Sequence, residues 1–439
     1  MIANSTTSLS KFVKDIITFI LITGISRLLP FLLTPIFTNY ISPLDMGALE
    51  IILALYSILI VIGLFQIDTS FQRYFYEEKN IISSSLCIII ILSIISSLIL
   101  YAFSSMISIY ISGTETHVYS IRIVSYTVPF TNIYSLLILA LRFSNKTKEL
   151  ITLILLQSFS FSSLAYVFVI YKGNGIQGYL SASLYSYIFV VLLAFLYFKK
   201  QLISNINMKF IWKLIKFAYP QTPARLASTF MQNGNRFVIL LLLGESSVGI
   251  FSVGNKMSIL MNIVLSAFNM VWYPILYKDT KKINNHELNN IYKITLLSLP
   301  IITIFLSFIS YFIFCNIIDS RYQSGFSTSL ILILSSSILI IKEIADIGIK
   351  IKEKTYFISI IYITSLLLSY FLMLILSPSL QLIGIALAML IANIAMLSMT
   401  WFISTHLLKP FPFNIKYTYM YLIFSIVFVI IIMKFNYVT

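Results

Sequence analysis

The feature that most constrains this 439-residue chain is the recurrence, from one end to the other, of apolar runs of twenty or more residues. Inside a bilayer every backbone N–H and C=O must be satisfied within the protein, so such runs can only become helices or strands of a closed barrel. Long continuous runs such as Ile81 to Ile111 and Tyr292 to Ile318 lack the period-two alternation of a membrane barrel, which leaves the helix. Composition agrees. With 59% hydrophobic and 10% charged residues, there are too few polar side chains to cover a water-soluble globule of this size. The expected fold class is therefore an all-α, polytopic transmembrane helical bundle.

Polar breaks between the runs place about thirteen helices, near 15–38, 46–75, 82–112, 118–141, 150–171, 178–198, 217–243, 248–277, 291–318, 326–349, 355–376, 382–408 and 416–434. The first run is long enough to span and is followed by no small-residue cleavage site, so a cleavable signal peptide is not expected and the N-terminus stays cytoplasmic. In that orientation 21 of the 30 lysines and arginines fall in cytoplasmic segments, against three outside: Lys172, Arg321 and Lys434. This asymmetry obeys the positive-inside rule, and the net charge of +15 becomes mainly a topology signal rather than a sign of nucleic-acid binding. The two cysteines, Cys87 and Cys315, lie in separate apolar runs and are expected to be buried structural thiols.

The longest cytoplasmic connection is basic and amphipathic. It divides the chain into an N-terminal six-helix bundle (1–198), a linker (199–216), a second six-helix bundle (217–408) and an extra C-terminal helix (409–439). Sliding the sequence on itself by 202 residues pairs KFVK at Lys11–Lys14 with KLIK at Lys213–Lys216, Gly47 with Gly249 and Glu77 with Asp279. Six helices per repeat is an even number, so the repeats would be parallel, related by a pseudo-two-fold axis along the membrane normal. Two bundles facing a central cavity, suited to alternating access, are expected.

Six cations remain within the helical segments: Arg27, Arg122, Arg225, Arg236, Lys256 and Lys342. A charge at mid-membrane costs at least about 2.5–3.5 kcal/mol, so each should face a partner or a wet cavity. Arg225, Gln232 and Arg236 are spaced by seven and four residues, which puts them on one helical stripe. The next segment carries Asn255, Asn262 and Asn269 at intervals of seven, with Lys256 beside the first. Arg122, near the outer end of its helix, is expected to snorkel, while Lys342, with Glu343 adjacent and Asp346 four residues on, serves equally as an internal ion pair or as a ligand. The arginines could pair with acids of neighbouring helices, but the acids within helices are few, led by Glu50, Asp68, Glu343 and Asp346. Arg27, Arg225, Arg236 and Lys256 are therefore the candidate ligands of an anionic substrate in one central cavity. The asparagine stripe serves equally as interhelical hydrogen bonding.

Catalysis is not indicated. His117, His286 and His406 are scattered among helix ends without an HExxH or carboxylate constellation, and no Walker A sequence occurs. No cofactor or metal is expected. If transport is driven, an ion gradient is the remaining source, with Glu50, Asp68, Glu343 and Asp346 as candidate carriers.

The first hairpin, KDIITFILITGISRLLPFLLTPIFTNYISPLDMGALEI (Lys14 to Ile51), has an arginine-bearing first helix, prolines and an S-P-x-x-x-G turn. Arg73, Tyr74 and Glu77 close the second helix in an arginine, aromatic, acid pattern. The second half opens KLIKFAYPQTPARLASTFMQNGNRFVILLLLGESSVGIFSVGNKM (Lys213 to Met257), and AFNMVWYPILY (Ala267 to Tyr277) ends its second helix. In these segments the chain resembles the polysaccharide and O-antigen (Wzx-type) flippases of the multidrug/oligosaccharidyl-lipid/polysaccharide exporter superfamily. That resemblance implies two six-helix bundles and a cationic cavity for the pyrophosphate of an undecaprenyl-linked oligosaccharide, with the cavity role carried to Arg27, Arg225, Arg236 and Lys256. It implies a bacterial cytoplasmic membrane, lipid and the lipid-linked oligosaccharide as partners, and association with a polysaccharide polymerase and other envelope-assembly proteins. Two departures stand out: Asn235 occupies a position where an aspartate commonly precedes the arginine, and a thirteenth helix would put the C-terminus outside. The competing readings are an ion-coupled multidrug exporter of the same superfamily, which favours acids in the cavity, and a polytopic polymerase or glycosyltransferase, which needs a larger outer loop. A purely structural membrane subunit is the third.

Overall fold

A computed structural model describes residues 28–78, 80–144, 146–202, 207–278, 285–352, 354, 356–407 and 413–436. All regular structure among them is helical. Each of the thirteen expected segments is helical in its described part, but four that the sequence presents as continuous are broken. Eight helices among the described residues are long and apolar enough to cross a membrane, one of them a merged pair.

By its contacts the chain divides into two compact units, Met1–Arg236 and Phe237–Thr439. Composition instead marks the divide at the basic segment 199–216. A loop and a packing boundary need not coincide, because the helix that follows that segment packs with the first unit.

In the first unit α1 (Leu28–Phe37) leads to α2 (Pro43–Leu64). Ser42 caps α2 by accepting a hydrogen bond from the Asp45 amide at 3.1 Å, Pro43 stands in the first turn, and the Asp45 carboxylate complements the helix dipole. α2 stops at Phe65 and Gln66, both in the left-handed region at φ 45° and 56°, and α3 (Ile67–Tyr74) follows. Neither residue is a glycine, so each costs roughly 1–2 kcal/mol relative to right-handed helix, and no sequence signal announces the break. Then come α4 (Ile81–Ala102) and α5 (Ser104–Ser112), broken at Phe103, followed by α6 (Val118–Phe143). α7 (Thr147–Ala165) continues in a π-helical turn, Tyr166–Tyr171, before α8 (Gly175–Leu202).

Lipid is as apolar as leucine, so these helices are held by close approach and hydrogen bonds rather than by hydrophobic drive. Asn132 of α6 donates to Ser93 of α4 at 2.8 Å, and Ser97 donates to the Ser125 carbonyl at 2.6 Å. Gly63 of α2 faces the same spot: a Cβ there would lie 2.3 Å from Asn132 Nδ2.

The expected linker contains a helix, α9 (Met208–Ala218), capped by the Asn207 side chain and docked on α3 and α4. Its Phe210, Leu214 and Ala218 join a core with Leu64, Ile67, Phe71, Ile81 and Leu86. Burial of Phe210 and Leu214 from water stabilises this docking by about 3–6 kcal/mol. α10 (Thr222–Asn233) then packs on α2 and is broken from α11 (Asn235–Leu243) at Gly234.

The second unit comprises α12 (Glu245–Lys278), α13 (Asn285–Asn316), α14 (Gly325–Ala345), α15 (Ile347–Ile351), α16 (Tyr356–Leu407) and α17 (Ile415–Asn436). α12 and α14 touch backbone to backbone, since a Cβ on Gly254 would meet the Gly325 carbonyl oxygen at 2.7 Å. α16 contains the two expected segments 355–376 and 382–408, divided at Gln381 (φ 48°, ψ −127°). Gly384 is required by this tight reversal: a Cβ would lie 2.4 Å from the Leu376 carbonyl oxygen.

Candidate functional site

α10 differs from the spanning helices in the chemistry of its exposed face. Arg225, Ser228 and Gln232 follow one another at helical spacing and all are exposed, while Thr222 and Thr229 are buried. Gln232 donates to Ser228 Oγ at 3.4 Å, and Thr229 donates to the Arg225 carbonyl at 3.0 Å. The Arg225 guanidinium has no ionic partner among the described residues. Along the spanning helices the exposed face is apolar in stretches such as Ile94, Leu98, Leu192 and Leu196 in the first unit. Within a bilayer a polar, cationic face belongs against water or a polar ligand rather than against lipid.

Arg236 lies on the same stripe but is committed to partners. Its Nε donates to Glu50 Oε2 at 3.1 Å, a second guanidinium nitrogen lies 3.0 Å from the same oxygen, and Nη1 donates to Asn233 Oδ1 at 3.0 Å. The Glu50 side chain is 3% exposed and that of Arg236 12%. A candidate substrate ligand and a candidate ion carrier are thus brought together as one buried pair. Around it the first unit holds a set of half-buried tyrosines to which the sequence reading gave no role: Tyr56 bonds to Thr131, Tyr134 stands 5.5 Å from Tyr187, and Tyr179 lies against Phe161 at 5.2 Å. Their signal in the sequence is a tyrosine hydroxyl in the middle of an apolar helix, which needs a polar neighbour when buried.

Arg27 lies outside the described residues. Lys256, in the second unit, is half-buried beside Asn255, whose Oδ1 accepts from Ser258 at 3.2 Å. Farther along the asparagine stripe, Asn269 Oδ1 is buried without a hydrogen-bond partner among the described residues. Asp68, in the first turn of α3, also has one buried carboxylate oxygen with no such partner.

The other two candidate carriers form a four-charge cluster at the α14–α15 break. Lys342 Nζ lies 3.1 Å from Glu343 and 3.3 Å from Asp346, and donates to the Tyr362 hydroxyl at 3.4 Å. Lys350 Nζ lies 2.9 Å from both carboxylates. The pairing of Lys342 with Asp346 follows from their spacing, whereas Lys350 was expected in a cytoplasmic loop. It sits four residues from Asp346 and seven from Glu343, on the same helical face, a spacing that could have revealed it.

Arg122, expected to snorkel, donates from its Nε to Ser104 Oγ at 3.2 Å, and its guanidinium lies 4.8 Å from the Tyr101 ring centroid. The expectation of buried cysteines is corrected. Cys87 is only partly buried, and Cys315 is exposed on an α13 surface that presents apolar side chains outward, Phe308 and Phe312 among them. Among the described residues no three His, Cys, Asp or Glu side chains gather as a metal site.

The chain matches the polysaccharide biosynthesis protein family over residues 12–280. A comparison with curated proteins finds no match. Among solved structures it is similar to the lipid II flippase MurJ in an inward closed conformation, with TM-score 0.72, 18% identity, and coverage of 96% of this chain and 93% of that one. It is similar also to an inward-facing multidrug resistance MATE transporter of the MOP superfamily, with TM-score 0.65, 14% identity, and coverage of 87% and 97%. A third is a MOP superfamily transporter from Pyrococcus furiosus described as having a binding pocket of reversed polarity, with TM-score 0.58, 15% identity, and coverage of 90% and 95%. With a family match across more than half its length and helices arranged as in the MOP superfamily transporters, the chain belongs to the polysaccharide biosynthesis protein family.

Proposed function

We propose that this protein is a flippase that moves an undecaprenyl-diphosphate-linked oligosaccharide, an O-antigen or capsule repeat unit, across the bacterial cytoplasmic membrane by alternating access, with its N-terminus in the cytoplasm. The observation that carries the reading is the exposed Arg225–Ser228–Gln232 face of α10. A diphosphate is prohibitive in hydrocarbon and a glycan brings many hydroxyls, so the head group needs a cationic, hydrogen-bonding path while its lipid tail needs none. Arg225 would bind phosphate, with Arg27 and Lys256 as further candidate ligands; Arg236 would hold the end of α10 to α2 through Glu50. Of the candidate ion carriers, Asp68 ranks first, because Glu50, Glu343 and Asp346 are held in ion pairs. A polysaccharide polymerase is the expected functional partner.

The test is translocation by the purified protein in sealed vesicles, with an undecaprenyl-diphosphate-linked oligosaccharide scored by access of an impermeant glycosidase. Translocation above protein-free vesicles is expected. Export of organic cations with no movement of the lipid-linked glycan would replace this reading with a multidrug exporter.

A further inference from the structure

The face of α9 opposite its docked side combines features that specify an occupant. Met208, Trp212 and Tyr219 are 69%, 72% and 63% exposed. At about 100° per residue they share one stripe, continued by half-buried Ile215, while Lys209, Lys213 and Lys216 form a row along its flank. Phe210, Leu214 and Ala218 occupy the opposite side, against the bundle. The helix is thus apolar on two faces and basic between them.

Lys213 is already engaged: its Nζ lies 3.1 Å from Glu77 Oε2 and 4.2 Å from the Tyr74 ring centroid. Lys209 and Lys216 are exposed and have no ionic partner among the described residues. The level of α9 along the bundle is fixed by its neighbours. It begins ten residues after the apolar span Gly175–Phe198 ends, and its buried face packs with Ile81, Ile82 and Leu86, the first turns of the apolar span Ile81–Ala102. A helix at the end of two spans, with tryptophan and tyrosine outward and lysines beside them, lies where headgroups meet acyl chains.

We infer that this face of α9 docks on the anionic phospholipid headgroups of the bilayer. Trp212, Met208 and Tyr219 enter the interfacial layer, and Lys209 and Lys216 take lipid phosphates. Zwitterionic lipid would satisfy the aromatic stripe but not the lysine row, so the surface selects for net negative charge. Because α9 is docked on α3 and α4, lipid charge is felt directly by the first unit. The inference does not depend on which substrate the protein moves.

Trp212 supplies the reporter. The full-length protein is placed in phosphatidylcholine–phosphatidylglycerol nanodiscs in which either lipid, at equal mole fraction, carries brominated acyl chains, and the Trp212→Phe signal is subtracted from each. Brominated phosphatidylglycerol should quench Trp212 more than brominated phosphatidylcholine. Each of Lys209→Gln and Lys216→Gln should reduce that lipid preference about fivefold, since each juxtamembrane lysine contributes about 1 kcal/mol near an anionic surface. High salt should reduce it in the wild type, because exposed charges are screened. Equal quenching by the two lipids would overturn the charge selectivity. Absence of quenching by either would show water or another protein against this face and overturn the docking itself.

Discussion

Glu50→Ala tests whether the Arg236–Glu50 pair ties α2 to the α10–α11 junction. In the native chain two guanidinium nitrogens share Glu50 Oε2 at 3.0–3.1 Å and a third is held by Asn233, in a site where the carboxylate is 3% exposed. Removing the carboxylate leaves Arg236 with one neutral partner in a buried position, and breaking such a pair costs about 3–5 kcal/mol. Arg236→Leu, which takes that cation away from the buried Glu50 carboxylate, should cost a similar amount. The double variant Glu50→Ala with Arg236→Leu removes both charges and their desolvation together, so its loss should be close to that of one single variant or less. The coupling should therefore be about 3 kcal/mol or more, measured as a double-mutant cycle by reversible unfolding in mixed micelles. Glu50→Gln, which keeps an acceptor of the same shape, should fall between wild type and Glu50→Ala. Additive single effects, with coupling under about 0.5 kcal/mol, would refute the pair as the tie between these helices.

Arg225→Ala should lower apparent affinity for the lipid-linked substrate about tenfold or more in the vesicle assay, since a charge-assisted hydrogen bond contributes about 1.5–3 kcal/mol; Arg225→Lys should lose less, as lysine keeps charge but not the bidentate fork. Gly254→Ala should lower thermal stability in detergent by about 1–3 kcal/mol, because its new methyl would sit 2.7 Å from a backbone oxygen of α14 that cannot step aside. The hydrogen bond from Lys213, with Arg73 also beside it, holds the Glu77 carboxyl below the usual carboxylate range. A depressed acid stabilises the fold above its unfolded pKa and loses that contribution as pH falls through its folded value, so hydrogen exchange of α9 should rise below about pH 4. Glu77→Gln should abolish that pH dependence.

The existence of the helices was legible because span length is set by the bilayer and apolar runs of that length admit few alternatives. Their breaks were not. Of four, only Gly234 stands where a conformationally permissive residue marks it; Phe65–Gln66, Phe103 and Asp346 carry no local signal. The amphipathic basic character of α9 was also legible, but which of its two apolar faces docks is decided by α3 and α4, far away in sequence. The same distance hid the partner of Arg236: 186 residues separate it from Glu50, and no spacing rule reaches that far. Local pairing was readable where it follows the helical repeat, as with Lys342 and Asp346, and missed at Lys350 because a lysine-rich stretch looks like a loop.

The described charges fall into two groups whose energetics suit different tasks. Arg236 in the first unit, and Lys342 and Lys350 in the second, are buried against carboxylates within 3.3 Å. For any of these to take a substrate phosphate it would first have to leave its carboxylate, at a cost of about 3–5 kcal/mol, while the new charge-assisted bond returns only about 1.5–3 kcal/mol. The exchange is uphill unless the carboxylate is protonated at the same moment, so these cations are better suited to holding helices together than to a binding step repeated in every cycle. An exposed arginine starts from water. It gives up hydration it can recover on release, so its contact with a phosphate can be made and broken within a transport cycle. Arg225 is such a residue, and under the proposed function the burial of its stripe-mate Arg236 would separate recognition from architecture on one helical stripe.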